Sequence, residues 1–93
     1  MEHIVITEAL KRGAEVFPNC TCTGSIDLIL MINDQHLDCD VKAMTQRRIH
    51  SNYYHKSSGC IAEGVYCISV HPITFKVSWH PSLIPKGFES FWD

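Results

Sequence analysis

Residues 27–42 read DLILMINDQHLDCDVK, an apolar run that opens on one carboxylate, breaks at a polar pair and returns to close on Asp40, Val41 and Lys42. The segments DLILMIN and HLDCDVKAM have the composition and alternation of two strands joined by a tight turn, here expected at Asp34 and Gln35. In that register Ile32 faces Leu37, Leu30 faces Cys39, Leu28 faces Val41, Ile29 faces Asp40 and Asp27 faces Lys42. The apolar pairs then share one face, which is what a buried surface requires. The other face gathers Asp27 and Lys42 directly opposite each other, with Asp40 diagonal to Asp27. A slip of one residue would drive the carboxylates into the apolar layer, so the hydrophobic pattern itself enforces the cluster.

Two carboxylates held roughly 6 Å apart repel by about 2 to 3 kcal/mol at an effective dielectric near 20, so a positive charge between them is expected. Lys42 supplies one. Two oxygen ligands beside a strand also suit Mg²⁺, which takes one or two carboxylates and fills its other positions with water and substrate phosphate. Mn²⁺ is the expected substitute. Such an ion with a neighbouring lysine is suited to hydrolysing a phosphodiester. The plain alternative is an exposed cross-strand ion pair of little energetic consequence.

Outward from this hairpin, Glu2 to Gly13 can be written as a helix with Glu2, Ile6, Ala9, Leu10 and Gly13 on one stripe and Glu8, Lys11 and Arg12 on the other side. Glu8 and Arg12 are one turn apart and form an ordinary exposed pair. AEVFP is a short extended piece broken by Pro18 and Asn19. EGVYCISVHP and ITFKVSWHP read as two further strands, with His71 and His80, each before a proline, as turn residues. The tail SLIPKGFESFWD is irregular and aromatic, and is expected to dock on the core or on a second subunit.

A chain of 93 residues, 45% hydrophobic and 19% charged, is expected to form a single domain over residues 1–93. No apolar run approaches the roughly 18 residues that span a bilayer, and MEHIVITEALKRG lacks the features of a signal peptide, so the expectation is an intracellular, cytoplasmic protein without a membrane. Five cysteines are an odd number, which argues against a disulfide framework. The net charge of −2 hides an asymmetry. Lys42, Arg47, Arg48 and Lys56 lie between Val41 and Ala62 with no acidic residue among them, a local positive arm.

The turn GSID ending on Asp27, a strand, a tight turn and then DVK resemble the PD-(D/E)xK nuclease superfamily. Within it the nearest likeness is to the Holliday-junction-resolvase-like branch, including intron-associated homing endonucleases. In that branch a glutamate stands early in the first helix, about three turns ahead of a closing glycine, a spacing that Glu2 and Gly13 hold here. The resemblance covers Glu2 to Lys42. It implies an α/β, restriction-endonuclease-like core with one main helix on a mixed four- to five-stranded sheet. It further implies Mg²⁺ on Asp27 and Asp40, Lys42 handling the attacking water, and Glu2 completing the site. Ile26 stands where the superfamily has proline, Asp40 where glutamate is more usual, and RRIHSNYYHKSSG where a helix is expected.

Arg47, Arg48, Lys56, Tyr53 and Tyr54 could clamp phosphates and stack on bases, the mixture that suits unpaired or distorted nucleic acid. The expectation is therefore a Mg²⁺-dependent DNA endonuclease, homing-type or structure-selective. Cutting two strands needs two sites, hence a homodimer or higher homo-oligomer. Two competitors are a catalytically inactive nucleic-acid-binding module on the same fold and a zinc-stabilised structural protein. Zinc is disfavoured because Cys20 and Cys22 are too closely spaced and no second ligand pair completes them.

Overall fold

The structure is a computed structural model that describes residues 1–18, 26–46, 53–54 and 64–93. Helix α1 spans Glu2–Lys11. Its end is set by Gly13, which takes φ +86° while its N–H bonds to Leu10 O and that of Ala14 to Ala9 O, the paired bonds of a glycine-terminated helix. The buried residues are Val5 and Ala9, four apart on one face, whereas Leu10 is 56% exposed. The expected stripe through Leu10 is thus rotated towards Arg12. The cause lies at the other end of the chain: Arg12 Nη2 donates to Trp92 O at 2.8 Å and its guanidinium lies 5.8 Å from the Trp92 ring centre. Glu8 pairs with Arg12 as expected, at 3.6 Å, and also with Lys11 at 3.3 Å.

The strands are β1 Glu15–Pro18, β2 Leu28–Ile32, β3 Gln35–Ala43, β4 Thr45–Gln46, β5 Tyr53–Tyr54, β6 Val65–Val70 and β7 Val77–Trp79. Five form one sheet in the order β1-β2-β3-β6-β7, while β4 and β5 make a separate antiparallel pair. The central pair β3 and β6 is parallel and the rest of the large sheet is antiparallel, so the sheet is mixed. The fold is α/β, one helix on a five-stranded mixed sheet. Pro18, which has no N–H to give a ladder, falls at the end of an edge strand.

The hairpin differs in register from the sequence expectation. Ile32 pairs with Gln35, Leu30 with Leu37 and Leu28 with Cys39, a shift of two residues. The turn is Asn33-Asp34, at φ +50° and +66°, not Asp34-Gln35. A two-residue turn that matches strand twist needs positive φ at both positions, which Asn and Asp tolerate and Gln does not favour. An even shift preserves the faces. Leu28, Leu30, Ile32, Leu37, Cys39 and Val41 are all buried against Val5 and Ala9, together with Ile68, Val70, Val77 and Trp79.

The tail docks on this core. Trp92 is buried, 4.6 Å from the Phe91 ring and 5.4 Å from that of Trp79, and Trp79 Nε1 donates to Phe88 O at 2.8 Å. His71 and His80 are turn residues as expected, their Nδ1 atoms accepting N–H bonds from Thr74 and Ser82 at 3.1 Å. Cys39 is a free, fully buried thiol, pushed up to about 12 chiefly by burial and next by the charge of Asp38. Cys67 is disulfide-bonded, contrary to the expectation that disulfides would be absent. Among the described residues no helix is long and apolar enough to cross a membrane.

Candidate active site

On β3 the side chains alternate, so Cys39 and Val41 enter the core while Asp38, Asp40 and Lys42 lie on the face away from α1. β2 ends at Leu28, and Asp27 takes over the pairing with its side chain. Its N–H bonds to Cys39 O at 2.9 Å, and its Oδ2 accepts the Val41 N–H at 2.8 Å in place of a backbone carbonyl. One carboxylate oxygen is thereby fixed by the main chain. The register carried one step beyond Leu28 and Cys39 sets Asp27 directly opposite Asp40.

This corrects the expected arrangement, in which Asp27 faced Lys42 and Asp40 was diagonal. Lys42 instead pairs with Asp40, Nζ to Oδ2, at 3.5 Å. The two-residue shift of the turn is the reason. All three side chains still come together on one face of the sheet.

Asp40 is only 5% exposed. Burial pushes its carboxyl up to about 6, helped by the hydrogen bond to Asp27 and by that group's negative charge, and opposed by Lys42. Asp40 therefore keeps its proton above the ordinary carboxylate range. Two carboxyl groups set opposite each other offer the oxygen donors that a hard divalent cation takes, and its charge would offset both the burial of Asp40 and the negative charge of Asp27. Mg²⁺ and Mn²⁺ fit this donor set. Among the described residues no third His, Cys, Asp or Glu side chain joins the pair to complete a metal-holding group.

Glu2 is exposed at the start of α1 and lines an open cleft of about 440 Å³ with Met1, His3, Ile6 and Val41. It therefore borders the residue between Asp40 and Lys42, but from the helix side of the sheet. Arg47, Arg48 and Lys56 lie outside the described residues, as do Cys20, Cys22 and Cys60. Tyr53 and Tyr54 form β5, opposite Gln46 and Thr45. One residue that the sequence reading passed over stands beside the site. Ser69 on β6 is the register partner of Lys42 and is 1% exposed, and its only sequence signal is a lone hydroxyl within VYCISV.

No protein-family profile and no curated protein matches the chain. Among solved structures, the bacterial homing endonuclease I-Ssp6803I is similar, with a TM-score of 0.71 at 18% identity, over 86% of this chain and 59% of that one. The chain thus spans less than two thirds of the length of the structure it resembles. At this identity the likeness is one of backbone architecture, and what the chain shares with that structure is its α/β fold.

Proposed function

We propose that the protein is a metal-dependent DNA endonuclease of the PD-(D/E)xK type, in the homing or junction-resolving branch. The observation that carries this reading is the juxtaposition of Asp27, buried Asp40 and Lys42 on one face, with Asp40 held up to about 6. The shared fold with a homing endonuclease supports DNA as the substrate.

A divalent cation bound by Asp27 and Asp40 supplies neutralisation of the charge that develops on the phosphodiester and acidifies water. The chain's own residues do the rest. Asp27, with one oxygen anchored on the Val41 N–H, presents a carboxylate of fixed orientation. Asp40, the buried member of the pair, would hold the cation as its carboxylate together with Asp27. Lys42, held beside Asp40, aligns the attacking water, whose oxygen bonds to phosphorus as the P–O ester bond breaks; the water's proton passes to solvent and the leaving alkoxide takes a proton from solvent. Glu2, expected to complete the site, borders Val41 on the helix side of the sheet, opposite the face that carries Asp40 and Lys42, and takes no step in this mechanism. Arg47, Arg48, Lys56, Tyr53 and Tyr54 are the proposed DNA contacts. One site per chain and two strands to cut make a homodimer or higher oligomer part of the proposal.

The test is cleavage of supercoiled plasmid and of four-way junctions with Mg²⁺ or Mn²⁺. Asp40→Asn and Lys42→Ala should each lower the rate roughly 100-fold or more, the scale expected when several kcal/mol of charge stabilisation or water alignment is removed. Hydrolysis that survives both substitutions overturns the proposal. DNA binding by wild type with no nicking of any substrate would make the protein a binding module instead.

A further inference from the structure

The sheet face that carries Asp27, Asp40 and Lys42 continues past them to the β1 edge. There the register lines up Phe17, Ile29 and Asp38 in one row and Glu15, Met31 and His36 in the next. Val16 packs on the core, so its neighbours Glu15 and Phe17 project from the opposite face, the one away from α1. Ile29, the cross-strand partner of Phe17, lies two residues after Asp27 on the same face of β2. Asp27 is therefore diagonal to Phe17, a separation of about 7 to 8 Å that an aromatic side chain spans. The ring has no core to enter: Phe17 is 47% exposed, on an edge strand of four residues.

Charge decides what can approach this ring. His36 aside, Lys42 is the one basic side chain on β1, β2 and β3, and it stands at the far end of the face beside Asp40. The rows around Phe17 carry Glu15, Asp38 and Asp27 instead. A phosphate backbone laid across this end would meet like charge with no lysine or arginine to neutralise it, the reverse of a surface that tracks the backbone. A nucleobase is uncharged and has a flat π-face, and stacking one on an aromatic side chain gives roughly 10- to 100-fold in affinity. In an intact duplex each base face is covered by its neighbours, so only an unpaired, bulged or displaced base is free to reach Phe17 without the cost of unstacking. We infer that Phe17 is a specificity-determining residue of the site: its ring, with Ile29 beside it, stacks on an unpaired base next to the phosphodiester to be cut. The substrate class is then DNA that carries an unpaired base, in preference to uniform duplex. The link to cleavage rests on the nuclease reading; the selective binding does not.

Binding and cutting are measured separately. Fluorescence anisotropy without divalent metal compares two labelled duplexes that are identical but for one extrahelical base. Wild type should bind the bulged duplex about 10-fold more tightly than the uniform one. Phe17→Ala should lose that preference with its affinity for the uniform duplex unchanged, and Phe17→Trp should keep it. Phe17→Leu, which retains apolar bulk without an aromatic face, should lose most of it. A preference absent from wild type, or retained in Phe17→Ala or in full by Phe17→Leu, overturns the inference. With Mg²⁺, kcat/KM on the bulged duplex should fall about 10-fold in Phe17→Ala while that on the uniform duplex holds. A wild type that cuts both duplexes equally well would overturn the inference and leave the nuclease reading standing. A wild type that never cuts, yet prefers the bulge through Phe17, would sink the nuclease reading and leave the stacking residue in place.

Discussion

At the scale of single residues, the site is built at the expense of stability. Asp40 is raised from 3.8 to about 6, so the native state binds its proton more tightly than the unfolded chain does. Between those two pH values the folded protein holds more protons, and stability must therefore fall as pH rises from about 4 through 6. The loss is on the order of 2 kcal/mol and is complete above the folded value. Asp40→Asn removes the titrating group while retaining its shape. Urea denaturation without metal should find that variant more stable than wild type at pH 8, by about 1 to 2 kcal/mol, with the advantage vanishing near pH 4. Adding Mg²⁺ at pH 8 should raise the wild-type midpoint and leave that of Asp40→Asn in place, since only the former gains a ligand selective for its native state.

At the scale of elements, the hairpin shows what a one-dimensional pattern conveys and where it stops. Alternation assigns each side chain of β2 and β3 to a face, and those assignments hold in the structure from Leu28 to Val41. It does not choose among registers that differ by two residues, because all of them preserve the faces. Turn chemistry makes that choice, and Asn33-Asp34 wins over Asp34-Gln35 because both residues tolerate positive φ. The consequence reaches the site: Asp40 lies opposite Asp27, and Lys42 answers Asp40. The same turn admits improvement. Asp34 sits at φ +66°, where glycine carries no Cβ penalty, so Asp34→Gly should stabilise the protein by about 0.5 to 1 kcal/mol. Thermal unfolding at pH 7 should show a higher midpoint with cleavage unchanged; a lower midpoint would mean that the turn is held by more than its dihedral angles.

At the scale of the whole molecule, what escaped the sequence is what joins distant segments. The parallel pairing of β3 with β6 leaves no local mark, so nothing near Lys42 announces Ser69, and nothing near Arg12 announces Trp92, 80 residues away. The individual strands, by contrast, were legible, since each signals itself in its own alternation, whereas the mixed character of the sheet was an expectation of the family resemblance alone. Leu10, Ile73, Phe75, Leu83 and Ile84 remain exposed by 42–66%, apolar surface that association would cover. Light scattering coupled to size exclusion should accordingly give twice the chain mass or more; a strict monomer at working concentration would overturn the proposed homo-oligomer. Finally, Cys39 sits at 0% exposure in the central strand with its thiol raised to about 12. Reagents that consume thiolates find none there while the sheet is closed. Its alkylation is a clock that runs only during global opening, a built-in reporter of how often the fold lets go.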